Sequence, residues 1–184
     1  MDSVFPDREL FADYWISYHT DFEPKSLFVA EDDNQILGYI AGSFNHDQFR
    51  RKMMWTIFPK LILKLFHKGL MFNKKAWSLV TTPLYPKKPK KIELKFKINS
   101  PHASLHINLD KQARGQKIGS QLMEKFEKTA RERKIETITA GVREDNQKAA
   151  HFFKKQGFVL QSVHLGYSVR NEIFNVVIYA KELK

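Results

Sequence analysis

LHINLDKQARGQKIGSQLM, residues 105–123, is the stretch that decides the fold. Leu105, Ile107 and Leu109 alternate with His106 and Asn108, the period of a strand with one apolar and one polar face. From Ile118 the period changes. Ile118, Leu122, Phe126 and Ala130 recur at helical spacing and mark the inner face of a helix running to about Arg133. Between strand and helix lies a loop with Arg114, Gly115 and, at its far end, Gly119. A glycine loop at a helix N-terminus binds anions, because free N–H groups point outward and the helix dipole adds positive potential. Lys111, Arg114 and Lys117 add charge there, and pyrophosphate is the natural guest. Glycine is common in strand-to-helix turns, so the loop by itself does not name a ligand.

Working outward, Thr137–Val142 reads as a strand. Asn146 can cap a helix that ends at Gln156, with Gly157 just beyond it. Two β-rich runs close the chain, Val159–Val169 and Ile173–Tyr179. Upstream, Ser26–Glu31 and Ile36–Phe44 flank the turn residues Asp32, Asp33 and Asn34 and read as a hairpin. Asp7–Tyr18 places Leu10, Phe11, Tyr14, Trp15 and Tyr18 at helical spacing. Ile92–Ile98 alternates as a further strand would.

The 184 residues, 42% of them apolar, suit one globular domain. There is no cysteine, which excludes disulfides, zinc-thiolate sites and a thiol nucleophile and fits a cytoplasmic location. MDSVFPDREL lacks the basic-then-apolar order of a signal peptide. No apolar run approaches the roughly 18–20 residues that span a bilayer.

The net charge of +11 is concentrated. From Arg50 to Lys97 there are 14 Lys and Arg against one acid, Glu93. This overlaps a segment, 46–91, that interrupts the strand pattern and reads as a basic, helical insertion. Pro59 suits the first turn of its helix and Gly69 the end. Lys60, Lys64 and Lys68 form one stripe, and Leu61, Ile62, Leu63, Leu65 and Phe66 fill the remaining circumference. Two readings stay open. In one the helix closes over a substrate pocket, with Leu61 and Leu65 buried and the lysines exposed. In the other it seats on a partner or an anionic membrane surface. Nucleic acid is disfavoured, because the aromatic interleaving of a single-strand platform and a helix-turn-helix pattern are both missing.

Residues 105–123 resemble motif A of the GNAT (Gcn5-related N-acetyltransferase) superfamily, whose common form is R-G-x-G-I-G. Arg114, Gly115, Ile118 and Gly119 match it, and Lys117 departs from it where the family has glycine. NQKAAHFFKKQGF, residues 146–158, resembles motif B, with Asn146, Ala149, Phe152, Gly157 and Phe158 in register. SPHASLHINLD also resembles the acetyltransferase-like domain related to O-GlcNAcase. The resemblance implies an α/β, GNAT fold in a single domain over 1–184. Its central twisted sheet would be mixed and mostly antiparallel, flanked by helices, with the insertion between the third and fourth family strands. The family's first strand would be short or missing ahead of Asp7.

The same resemblance implies an acetyl-CoA-dependent N-acetyltransferase with no metal. Ile107 and Leu109 would hold pantetheine through their backbone. Arg114, Gly115, Gln116, Lys117, Ile118, Gly119 and Ser120 would hold the pyrophosphate. Asn146, Ala149, Phe152 and Phe153 would flank the thioester end. The acceptor would be a small-molecule or peptide amine, and the chain a monomer or homodimer. Phe153 stands where the family carries its acidic tyrosine. Tyr167 or Tyr179 could replace that acid, the thiolate could leave unaided, or the chain could be a non-catalytic acyl-CoA-binding or interaction module. His106, His102, Asn108 through a water, and Glu144 are candidate bases.

Overall fold

The structure is a computed structural model that describes residues 7–70, 72, 73, 89, 90, 102–167 and 173–183. Helix α1, Arg8–Asp21, starts at Asp7, whose carboxylate accepts the Leu10 N–H at 3.0 Å. Strands β1, Leu27–Asp32, and β2, Gln35–Ser43, form the expected hairpin. Its two-residue turn, Asp33 and Asn34, has positive φ at both positions (43° and 63°), the geometry that matches strand twist and that Asn and Asp tolerate. Among the described residues no strand precedes α1.

The insertion is helical, but it starts earlier than Pro59 suggests. Asn45 accepts the Gln48 N–H at 2.9 Å and opens α2, His46–Lys52. A π-helical turn, Met53–Ile57, then leads straight into α3, Phe58–His67. Pro59 has no N–H to donate, and its ring crowds the preceding turn. The π turn absorbs that mismatch: the Phe58 N–H reaches back to the Met53 carbonyl. Gly69, at φ 63°, ends the helix, with the Leu70 and Gly69 amides closing on the Leu65 and Phe66 carbonyls.

The remaining elements are β3, Pro89–Lys90; β4, His102–Leu109; α4, Ile118–Glu132; β5, Thr137–Arg143; α5, Gln147–Lys155; β6, Val159–Tyr167; and β7, Ile173–Glu182. The described strands form one sheet of seven in the order β1-β2-β4-β5-β7-β6-β3, antiparallel except for β4 beside β5. The strand expected at Ile92–Ile98 and most of the proline-rich connection before it lie outside the described residues.

Helices α4 and α5 cover one face of the sheet. Leu122, Met123, Phe126, Phe153 and Phe158 pack there against Ile40, Leu105, Ile138, Ala140, Val177 and Tyr179. Gly42 allows the closest approach, since a Cβ there would lie 2.4 Å from the Phe126 ring. On the other face α1 and the α2–α3 rod form a second cluster around Leu10, Tyr18, Met53, Ile57, Phe58, Leu61 and Leu65.

Leu61 and Leu65 are therefore buried as expected, each 1% exposed. The lysine stripe is not a free charged face. Lys64 Nζ binds Glu9 at 2.9 Å and Asp13 at 2.5 Å, and Lys68 Nζ binds Asp7 and Glu9, each at 2.6 Å. Only Lys60 of the three lacks a carboxylate among the described residues. The outward face of α3 carries Ile62, Leu63 and Phe66 instead. Truncating Leu61 to Ala should cost about 2–5 kcal/mol, the usual range for an emptied core leucine site. Leu63→Ala, at an exposed position, should stay within about 0.5 kcal/mol of the parent. Urea unfolding of both variants checks the assignment of inner and outer faces.

Candidate active site

Strand β4 pairs with β2 along its length, from Ser104 opposite Ser43 to Leu109 opposite Gly38. Its other edge is different. It pairs with β5 only from His102 to Leu105, opposite Thr137 to Ala140. Beyond that point β5 continues beside β7 as far as Arg143. The two parallel strands therefore diverge, and the β4 edge from His106 to Leu109 has no strand partner on that side among the described residues. Interior backbone groups need hydrogen-bond partners. An extended ligand with amide groups can take the place of the missing strand.

The loop at the mouth of this opening is built by local hydrogen bonds. Asp110 Oδ1 accepts the Gln112 N–H at 2.9 Å, and Gln116 Nε2 donates to the Gln112 carbonyl at 3.0 Å. Ala113 is buried and anchors the loop. Gly115 turns outward at φ 84°, with open space around it. Lys117 ends the loop in a left-handed conformation, φ 63°, and gives α4 no side-chain cap. The first amides of α4 are thus presented beside Lys111, Arg114 and Lys117, all exposed.

Behind the loop, Gly119 packs tightly. A Cβ there would sit 3.0 Å from Leu109 Cδ1 and 3.2 Å from the Phe152 ring. Ser120 Oγ accepts from Gln156 Nε2 at 2.8 Å and ties the start of α4 to the end of α5. Asn146 caps α5 by accepting the Ala149 N–H at 3.1 Å. Phe152 is the half-buried ring that reaches Gly119. Phe153 points into the core, 4% exposed, edge-on to Phe158 and stacked on Tyr179 with ring centres 6.2 Å apart. Burial pushes the Tyr179 phenol above its ordinary pKa, so it stays protonated at neutral pH.

On the opposite face of the sheet, His106 occupies the first β4 position beyond the paired region. Its ring lies 5.5 Å from Trp15 of α1 and 6.1 Å from Tyr39 of β2. One edge of the imidazole meets solvent, while the surrounding bulk desolvates it and lowers its pKa. Asn108 stands directly opposite Tyr39 on the β2–β4 ladder, and burial raises the Tyr39 phenol above its ordinary pKa. Of the other candidate bases, His102 faces His46 at 5.4 Å and Glu144 accepts from Asn175 at 2.6 Å. The Tyr167 side chain lies outside the described residues. Sequence pattern missed Trp15 and Tyr39 as neighbours of His106. Trp15 shares the helical spacing of the buried α1 residues, and the Tyr39 contact depends on strand register. Among the described residues no group of three or more His, Asp or Glu could hold a metal ion.

Residues 86–158 match the model of the acetyltransferase (GNAT) family, a span that includes both motif stretches. No curated protein matches the chain. Among solved structures, the chain is similar to SsHAT, with a TM-score of 0.68 and 18% identity over 98% of this chain and 83% of that one. The ribosomal-protein-alanine N-acetyltransferase of Brucella melitensis gives 0.53 and 18%, over 91% and 77% of the two chains. YncA from Salmonella typhimurium, solved with its cofactor acetyl-CoA, gives 0.54 and 11%, over 91% and 71%. The strand order and the diverging pair agree with these likenesses: the chain has the fold of these solved acetyltransferases, and residues 86–158 are similar to the GNAT acetyltransferase family.

Proposed function

We propose that the chain transfers the acetyl group of acetyl-CoA to an amine by direct attack. The observation that carries this reading is the unpartnered β4 edge opening onto an uncapped, cationic helix start. An amide-bearing pantetheine arm fits the first feature and a pyrophosphate the second. In this reading the backbone of Ile107 and Leu109 aligns the pantetheine. The amides and cations from Arg114 through Gln116, Lys117 and Ile118 to Gly119 and Ser120 hold the pyrophosphate. Asn146, Ala149 and Phe152 close the thioester end, and Phe153, expected there from the motif, is instead buried behind them in the core.

The amine nitrogen attacks the thioester carbon. The carbon–sulfur bond then breaks, the CoA thiolate leaves and takes up a proton, and the new amide nitrogen gives one up. His106, neutral at pH 7 because its pKa is depressed, is suited to accept that proton. Asn108 can orient a water in the same corner. Trp15 and Tyr39 would wall the acceptor side. Tyr179 is the nearest phenol to Phe153 among the described rings and is the acid of this scheme. The burial of Phe153 and Tyr179 favours a second reading, an acyl-CoA-binding module without turnover.

Thiol release from acetyl-CoA over a panel of small amines and peptides separates the two. Binding with thiol release that needs an amine supports the enzyme, and binding without release across the panel supports the module. His106→Ala should lower kcat by about 10²–10⁴-fold with acetyl-CoA affinity unchanged, the range for loss of a general base. The parent's rate should rise with pH through an inflection below about 6.5, the ordinary histidine value, since only the neutral imidazole accepts a proton. An unchanged kcat in the variant removes His106 from the mechanism. Lys117→Gly should stabilise the free chain by up to about 1 kcal/mol by relieving the left-handed backbone, yet weaken acetyl-CoA binding through the lost charge. Urea midpoints and calorimetric titration read the two effects.

A further inference from the structure

The α2–α3 rod has two faces. Its inner face is spent: Met53, Ile57, Leu61 and Leu65 pack with Leu10 and Tyr18 of α1, and Lys64 and Lys68 bind the carboxylates of α1 and of its cap, Asp7. Its outer face carries Trp55, Ile62, Leu63 and Phe66. Ile62, Leu63 and Phe66 are one to four residues apart on the exposed side of α3, and Trp55 is exposed on the π turn that leads into it, so together they form an apolar strip along the rod. Trp55 is 78% exposed, Leu63 60% and Phe66 68%. Met54 flanks the stripe, and Phe72 stands fully out beyond the turn at Gly69. Isolated exposed apolar residues need no explanation, but a continuous stripe of large ones marks an interaction surface.

The charges beside the stripe select the partner. Arg50, Arg51, Met54, Trp55 and one acid, Asp47, line an open hollow at its N-terminal end. Lys60 lies on the adjoining flank. None of Arg50, Arg51 and Lys60 forms an ion pair with a described residue. A two-fold dimer through this face would bring both copies' cations together, because such an interface presents the same patch twice. Nucleic acid would match the charge but leave four large apolar side chains against phosphate.

We propose that this outer face docks on an anionic lipid surface. The apolar stripe enters the interfacial layer while Arg50, Arg51 and Lys60 meet headgroup phosphates and carboxylates, the arrangement of a basic amphipathic helix lying in the interface plane. The rod lies parallel to the surface, held from behind by α1. The function of the acetyl-CoA site is independent of this contact.

Co-sedimentation of the full chain with vesicles tests it. Binding is expected to vesicles of phosphatidylcholine mixed with phosphatidylserine, to fall with added salt, and to be weak with phosphatidylcholine alone. Leu63→Asp combined with Phe66→Asp should reduce binding by roughly tenfold or more, as should Arg50→Glu combined with Arg51→Glu. All four positions are on the outer face or hollow, and circular dichroism with thermal melting verifies that the variants stay folded. The proposal is overturned if the parent stays in the supernatant with anionic vesicles, or if folded variants bind like the parent. It is overturned equally if light scattering finds a dimer that Phe66→Asp splits.

Discussion

Strand β4 is shared between two neighbours that make unequal claims on it. On one side β2 pairs with it through to Leu109. On the other, β5 must pair in parallel, after a connection that includes the whole of α4, and must also stay in register with β7 through Arg143. The parallel ladder holds only as far as Leu105. From there the strand is half satisfied, and the unmet backbone groups face an opening whose mouth is the start of α4. A sheet built only for stability would close that gap, because unpaired interior amides and carbonyls are costly. Everything proposed about the site depends on this divergence. It supplies the slot, it brings the loop from Asp110 to Lys117 to the end of the slot, and it puts His106 at the vertex.

A second constraint shapes the opposite face. Apolar burial of Leu61 and Leu65 against Leu10 and Tyr18 holds the insertion to α1. The ion pairs of Lys64 and Lys68 with Asp7, Glu9 and Asp13 are open to solvent, and such pairs add little to stability. Their larger effect is on rotation. With the lysines turned to α1, the rod can present only the Trp55–Phe66 stripe outward. The rod's inner and outer faces are thus fixed by one seam, and α1 in turn carries Trp15 to the side of His106.

Much of this was legible in the chain. Alternation at 105–109 followed by helical spacing from Ile118 identified the strand, loop and helix that matter most. Asp33 and Asn34 marked the hairpin, Asn146 the cap of α5, and Gly69 the end of α3. These are local signals, carried within a few residues. The misread features are non-local or depend on relief of strain. Pro59 reads as a helix start and does lie in the first turn of α3, but nothing local shows that the π turn at Met53–Ile57 joins that helix to α2. The partners of Lys64 and Lys68 lie more than 50 residues away in sequence, so spacing shows their stripe but not what it faces. Lys117 departs from the family's glycine, yet its backbone adopts the left-handed conformation that glycine favours. The consensus therefore carried the backbone requirement even where the residue did not.

The claim that the diverging β4 edge is the cofactor slot has a direct test in amide hydrogen exchange. Exchange is followed residue by residue with and without acetyl-CoA. The account predicts that added acetyl-CoA slows exchange at the amides of Ile107–Leu109 and of Arg114–Ser120, and leaves the β1–β2 hairpin turn and the outer face of α3 unchanged. Saturating acetyl-CoA that leaves both of those stretches unprotected, or protects a different part of the sheet, would contradict it.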